Sequence, residues 1–182
     1  LAIKSIWPKS VFSWGTTEVD LSREYACDLL IPEPDQEMYR AVEVDAPAQA
    51  LFLWICQLRL APYSYDRIDN FGRQSPQKLV PGIDRLEPGQ EFMRIFRLDS
   101  FEPGRSVTLR SRSGRPVDSA VTYLSLDRPG KAGHSAGSRL LVKFSVRYTS
   151  PLAAPLRLVL PPGDLVMMRR QLLELKRLAE GR

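Results

Sequence analysis

From Ser138 to Thr149 apolar and polar side chains alternate, with Leu141 the one apolar residue on the polar side. Leu140, Val142, Phe144, Val146 and Tyr148 fall on one side of an extended chain, Lys143, Ser145 and Arg147 on the other. Period two is the spacing of a strand with unlike faces. It implies an antiparallel sheet with one dry face and one wet face. The same period begins at Gln90 and predicts strands at Glu91–Phe101, Ser106–Arg112 and Asp118–Asp127. Between them lie the turn Glu102-Pro103-Gly104-Arg105, with proline and glycine at its centre, the turn Ser113-Gly114-Arg115, and the Gly-rich loop Arg128–Gly137. Met38–Val44 reads as one more strand, with Val42 and Val44 opposite Ala41 and Glu43.

A sheet with one dry face needs a cover, and two stretches can supply it. In Ala46–Gly72, Leu51, Trp54, Ile55 and Leu58 recur at helical spacing, while Phe52, Leu53 and Cys56 fill most of the other side. Asp45 is placed to cap this helix and Pro47 sits in its first turn. After an elbow comes Tyr63-Ser64-Tyr65-Asp66-Arg67-Ile68-Asp69-Asn70, a short second helix with Ser64 as cap and Gly72 as left-handed stop. At the other end, Ser150–Pro162 is proline-punctuated. Asp164 then caps a final helix to about Glu180, whose buried stripe is Leu165, Met168, Leu172, Leu175 and Ala179. That stripe spans too few heptads for a coiled coil and fits packing on the chain's own sheet.

Residues 1–37 read as an N-terminal arm, its aromatics Trp7, Phe12 and Trp14 anchored on a single domain of residues 38–182. Pro32 and Pro34 exclude a long helix or central strand between Leu21 and Glu37. No apolar run approaches the ~18 residues of a membrane-crossing helix. No signal peptide is visible, the chain begins at Leu1 rather than Met, and a cytoplasmic, reducing location is expected, without a Cys27–Cys56 disulfide. The net charge of +5 comes from arginines spread over many segments, the densest being Arg105–Arg115 and Arg169–Arg177. It fits a solvated surface better than a nucleic-acid or anionic-lipid interface.

The order strand, helix, short helix, antiparallel meander, long terminal helix resembles the helix-grip fold, an α+β fold whose curved sheet wraps a C-terminal helix. Ala46-Pro47, Trp54, Gln57, Tyr63-Ser64-Tyr65-Asp66 and Asp69-Asn70 resemble a bacterial branch of the SRPBCC superfamily, polyketide cyclase/dehydrase-like proteins related to START lipid-transfer domains. Leu86-Glu87-Pro88-Gly89, Phe101-Glu102-Pro103-Gly104-Arg105, Val166-Met167-Met168-Arg169-Arg170, Lys176-Arg177 and Ala179-Glu180 extend the likeness, which runs from about Tyr39 to Glu180. Arg59, Pro62 and Arg67 depart from it, where glycine, tryptophan and tryptophan are usual. Five strands are legible where such a sheet normally has six or seven.

The resemblance implies a hydrophobic or amphipathic small molecule, lipid- or polyketide-like, bound between sheet and terminal helix, with no cofactor. The apolar residues Met93, Ile95, Phe96, Leu98, Leu109, Leu124, Leu140, Val142, Phe144, Met168 and Leu172 either line such a space or simply fill the core. Trp54, Tyr63, Tyr65, Asp69 and Asn70 join Phe96, Leu109, Leu124, Val142, Phe144, Met168 and Leu172 as candidate ligand contacts. Tyr63, Tyr65 and Asp66 are the candidate catalytic groups of an alternative cyclase/dehydratase-type enzyme, phenols and a carboxylate able to move a proton beside an apolar space. The same cluster also reads as scaffolding for the elbow. Arg94 shares strand parity with Phe92, Phe96 and Leu98; facing inward it is a further candidate ligand contact, the polar anchor of the cavity, paired with Asp66, Asp69 or a ligand carboxylate, and a bulge there turns it to solvent instead. His134 lies in a loop without a nucleophile-elbow sequence, and Cys27, Cys56 and His134 lack metal-ligand spacing, so neither a triad nor zinc is expected.

Overall fold

The computed structural model describes residues 6–65, 70, 72–112, 116–128 and 137–182. The fold is α+β: a curved, mostly antiparallel seven-stranded sheet holds a long C-terminal helix. The strands are β1 (Ser13–Trp14), β2 (Gln36–Val44), β3 (Glu91–Phe92), β4 (Phe96–Glu102), β5 (Ser106–Ser111), β6 (Val117–Arg128) and β7 (Gly137–Tyr148). Their spatial order is β1-β2-β7-β6-β5-β4-β3. Among the described strands only the β1–β2 pair is parallel. The helices are α1 (Lys9–Phe12), α2 (Glu18–Leu21), α3 (Cys27–Leu30), α4 (Ala48–Cys56) and α5 (Leu156–Ala179). The short helix expected after Ser64 falls largely outside the described residues, as do Asp66, Asp69 and His134.

The two strands beyond the five legible ones are both two residues long. One is β1, from the arm. The other is β3, cut from β4 by a turn in which Met93 and Arg94 take φ of 45° and 63°. Gly15 follows β1 in the left-handed region, φ 75°, and a Cβ there would lie 2.2 Å from the carbonyl oxygen of Ala41. Only glycine lets the arm lie this close to β2.

Alternation along β2 and β7 puts Met38, Arg40, Val42, Leu140, Val142 and Phe144 on the concave face, against α4 and α5. The convex face is not simply wet. Tyr25, Cys27 and Ile31 of the arm close over Ala41, Ala120, Leu124 and Leu141 and form a second core. Lys143 and Ser145, expected in water, are buried beneath it. Alternation assigned the faces of β2 and β7 correctly but missed the outer cover, because proline-broken segments carry no period.

Both helix caps differ from expectation. Asp45 pairs with Arg128, and its N–H is held by Glu180. α4 begins after Pro47 without a side-chain cap of its own; the Ala48 N–H reaches Asp127 of β6 at 3.3 Å. Nor does Asp164 cap the last helix, which begins eight residues earlier, at Leu156, and runs through Pro161 and Pro162. Each proline removes an N–H and so orphans the carbonyl four residues back. Those two carbonyls are retaken from outside: Arg157 O by Gln36 Nε2 at 3.0 Å, and Leu158 O by Trp7 Nε1 at 2.8 Å. The arm and the first residue of β2 thus carry the helix across its weakest point.

Candidate functional site

One transverse row of the concave face combines apolar and polar groups. Arg40 on β2 is opposite Val142 on β7, and Val142 is opposite Tyr123 on β6. The row continues to Val107 and Phe101. Over it α5 lays Asp164, Met168 and Gln171, spaced four and three residues apart and therefore on one side of the helix. Two polar pairs join helix to sheet. Arg40 Nη2 donates to Asp164 Oδ2 at 2.6 Å, with side chains 1% and 7% exposed. The Tyr123 hydroxyl donates to Gln171 Oε1 at 2.7 Å, and Gln171 Nε2 donates on to Pro62 O at 2.6 Å.

Desolvation dominates this belt. Burial pushes the Asp164 carboxyl up to about 6 against the opposing pull of Arg40. Burial likewise lowers Arg40, with Asp164 holding it up in part. The Tyr123 phenol is driven far above its ordinary value by burial and then by the Asp164 charge, so it is a donor and not a phenolate. Arg40 Nη1 is taken by Tyr39 O at 2.8 Å. Its Nε is buried without a hydrogen-bond partner among the described residues. Beside the belt, Val42, Phe144 and Met168 face inward but stay part-exposed, so solvent reaches the layer between sheet and helix. Asp164 offers a proton donor or acceptor near neutrality, Tyr123 offers a hydroxyl, and the surroundings are apolar.

The expected residues divide. Phe96, Leu109, Val142, Phe144, Met168 and Leu172 all belong to the concave-side core, as does Trp54 of α4, whose ring meets Tyr63 edge-on at 6.2 Å. Leu124 does not: it faces the convex side, packed under the arm, because it differs in parity from Val121 and Tyr123. Arg94 is exposed in the β3–β4 turn, and Ile95 is exposed beside it. The turn breaks the strand parity that would have aimed Arg94 inward, and Arg40 is the arginine buried there instead.

Tyr63 is buried at the elbow, φ 55°. Its hydroxyl donates to Pro76 O at 2.7 Å and accepts from Gln57 Nε2 at 2.6 Å. Gln57 also holds Lys78 O and the Val80 N–H. These bonds tie the elbow to the loop that follows. Tyr65 is exposed, and Asn70 is buried with its amide donating to Arg73 O at 2.6 Å.

As site residues Arg40, Tyr123, Asp164 and Gln171 escaped the sequence reading, although three carried a signal. Arg40 interrupts the apolar face Met38-Val42-Val44, and Asp164 and Gln171 fall in step with Met168 and Leu175. Among the described residues no group of three or more His, Cys, Asp or Glu side chains could hold a metal ion.

No family model matches the chain, and neither does any curated protein. Solved structures do resemble it. A hypothetical protein, jhp0584 of Helicobacter pylori, aligns with a TM-score of 0.52 at 10% identity over 87% of this chain and 96% of that one. The di-domain ARO/CYC protein BexL, of the BE-7585A biosynthetic pathway, aligns with a TM-score of 0.50 at 16% identity over 80% of this chain. This chain covers 46% of BexL. DR_A0006 of Deinococcus radiodurans aligns at 19% identity over 80% of this chain and 97% of that one, with a TM-score of 0.42. At such identities the likeness is one of fold: sheet and terminal helix are arranged as in helix-grip proteins.

Proposed function

We propose that this protein binds a hydrophobic or amphipathic small molecule, lipid- or polyketide-like, between the concave sheet face and α5. The observation that supports it most is the polar belt in an apolar layer. Arg40–Asp164 and Tyr123–Gln171 stand on either side of Val142, next to inward side chains that remain part-exposed. Apolar walls with a few convergent polar groups are the usual make-up of a small-molecule site. Apolar surface enclosed there contributes about 25 cal/mol per Å² before entropic costs, while the belt fixes where a ligand's polar end can lie.

Native mass spectrometry of freshly purified protein tests this. A small-molecule mass is expected to accompany the wild type and to be lost from Met168→Trp, which fills the layer at the residue whose Sδ stands 3.8 Å from the Tyr123 hydroxyl. A wild type that carries no such mass, and that binds 1-anilinonaphthalene-8-sulfonate no better than Met168→Trp, removes the reading.

A second reading, a cyclase/dehydratase-type enzyme, is favoured by Asp164. A buried carboxyl pushed up to about 6 is a fit general acid–base group, and the Tyr123 phenol, which feels its charge and stays protonated, is a hydrogen-bond donor to go with it. The likeness to BexL supports that reading no further than the fold. Tyr63, named in the sequence reading, ties the elbow to the loop through Pro76 and Gln57, whereas Tyr123 and Asp164 lie in the belt between sheet and helix, so these two are the stronger candidates.

A further inference from the structure

The convex face is covered only in part. The arm's second core closes over residues of β2, β6 and β7, and beyond it Arg97 and Asp99 of β4 and Arg110 of β5 stand exposed. A pocket of about 470 Å³ opens there, its lining including Arg97, Asp99, Arg110 and Arg112. That is the size of a small-molecule site rather than of a bare ion.

Its charge pattern works against the free fold. Arg97 and Arg110 are directly opposite each other across the β4–β5 ladder. Like charges so placed repel. The neighbouring carboxylates are committed unevenly. Arg112 pairs with Glu91 at 2.6 Å. Arg110 has Asp118 at 3.2 Å, but shares it with Arg147 at 3.0 Å. Arg97 has no ion pair among the described residues, although Asp99 also lines the pocket. Arg112 Nε, beside the pocket, is buried with no hydrogen-bond partner among the described residues.

We propose that this pocket is a second binding site, separate from the sheet–helix layer, for a small molecule bearing a phosphoryl group. Its oxyanion lies between the Arg97 and Arg110 guanidinium groups, where it replaces their repulsion by charge-assisted hydrogen bonds. Planar guanidinium forks match phosphate oxygens two at a time, and a dianion answers two facing cations better than one carboxylate does. Asp99 accepts a hydroxyl of the same molecule. A phosphorylated polyol or sugar has both features and suits the volume.

Titration with ribose 5-phosphate and with inorganic phosphate, followed by amide chemical shifts at constant ionic strength, tests the site. Both are expected to move the amides of β4 and β5, the ester binding more tightly, while ribose alone does not. Arg97→Gln is expected to weaken the ester at least tenfold and to leave the melting temperature unchanged or raised, since it removes a repulsion. A purely structural arginine gives neither result. Arg110→Gln gives the same loss of binding should Arg97→Gln fail to fold. Arg170→Gln, an equal charge change on the outer face of α5, is expected to bind as wild type. The proposal is overturned if ribose 5-phosphate binds Arg97→Gln and wild type alike, if it does not bind wild type at all, or if succinate binds as tightly. The Met168→Trp protein is expected to keep this response, so that the two sites fail independently.

Discussion

The two faces of one sheet each bury a cation with carboxylates, and they settle its cost differently. On the convex side Lys143 lies between Asp28 at 2.5 Å and Glu37 at 2.6 Å, with the rings of Tyr25 and Tyr39 nearby. Both acids keep more than a third of their surface in water, 36% and 38%. Burial would lower the lysine, but hydrogen bonds to Asp28, Glu37 and Tyr39 outweigh it and the pKa rises. On the concave side Arg40 and Asp164 have one strong contact and almost no water. There desolvation wins, lowering the arginine and raising the acid. The first arrangement latches the arm and stabilises the fold. The second is one that packing alone would not select, and its place beside the apolar layer gives it a reason to persist.

The sharpest way to break that contrast is a mutant cycle on the concave pair. Asp164→Ala leaves Arg40 charged and unpaired in the interior, and is expected to cost about 3–5 kcal/mol in urea unfolding. Arg40→Met with Asp164→Leu removes both charges and is expected to recover all of that loss, ending within ~1 kcal/mol of wild type or above it. If the double variant is as unstable as Asp164→Ala, the pair is a net stabiliser and the two faces are alike.

Acid titration sharpens the contrast from another side. A folded pKa of about 6 against an ordinary 3.8 means that folded Asp164 binds a proton more tightly than unfolded Asp164. Between pH 6 and 4 this group therefore adds stability as pH falls, up to ~3 kcal/mol. Asp20 and Glu174 have lowered values and act oppositely: their contributions are present above the unfolded pKa and are lost as pH falls through the folded one. Asp164→Asn keeps those two and drops the first. Its acid limb is expected to fall more steeply than wild type between pH 6 and 4. Parallel limbs would mean that Arg40 holds Asp164 near its ordinary value and that desolvation does not dominate.

The fold was legible and half of the site was not. Period-two runs located the long strands and their inward faces, because alternation on a half-buried sheet is a local property. The prolines at 161 and 162 hid the start of α5, since whether a helix survives them depends on Trp7 and Gln36, distant in sequence. Arg94 and Arg40 show the same limit. Both sit at inward parity in an apolar run, and only the turn at Met93–Ile95 and the carboxylate of Asp164 decide which one is buried. The aromatic-acid cluster drew attention by composition, yet the bonds of Tyr63 are those of an elbow.

The smallest effect is expected on the convex side, at Asp28. Asp28→Asn removes the charge facing Lys143 but keeps an oxygen for the Tyr25 N–H, which Asp28 now accepts at 3.0 Å. Lys143 retains Glu37 and two ring faces. Asp28 is more than one third exposed, so water replaces most of what is lost, and the cost is expected to be about 0.5 kcal/mol or less. The lysine's raised pKa should come down, since one of its carboxylates is gone. Stability that Lys143 supplies below its unfolded value is then lost at lower pH on the alkaline limb than in wild type. A cost near that of Asp164→Ala would show that Lys143 depends on a single partner, as Arg40 does.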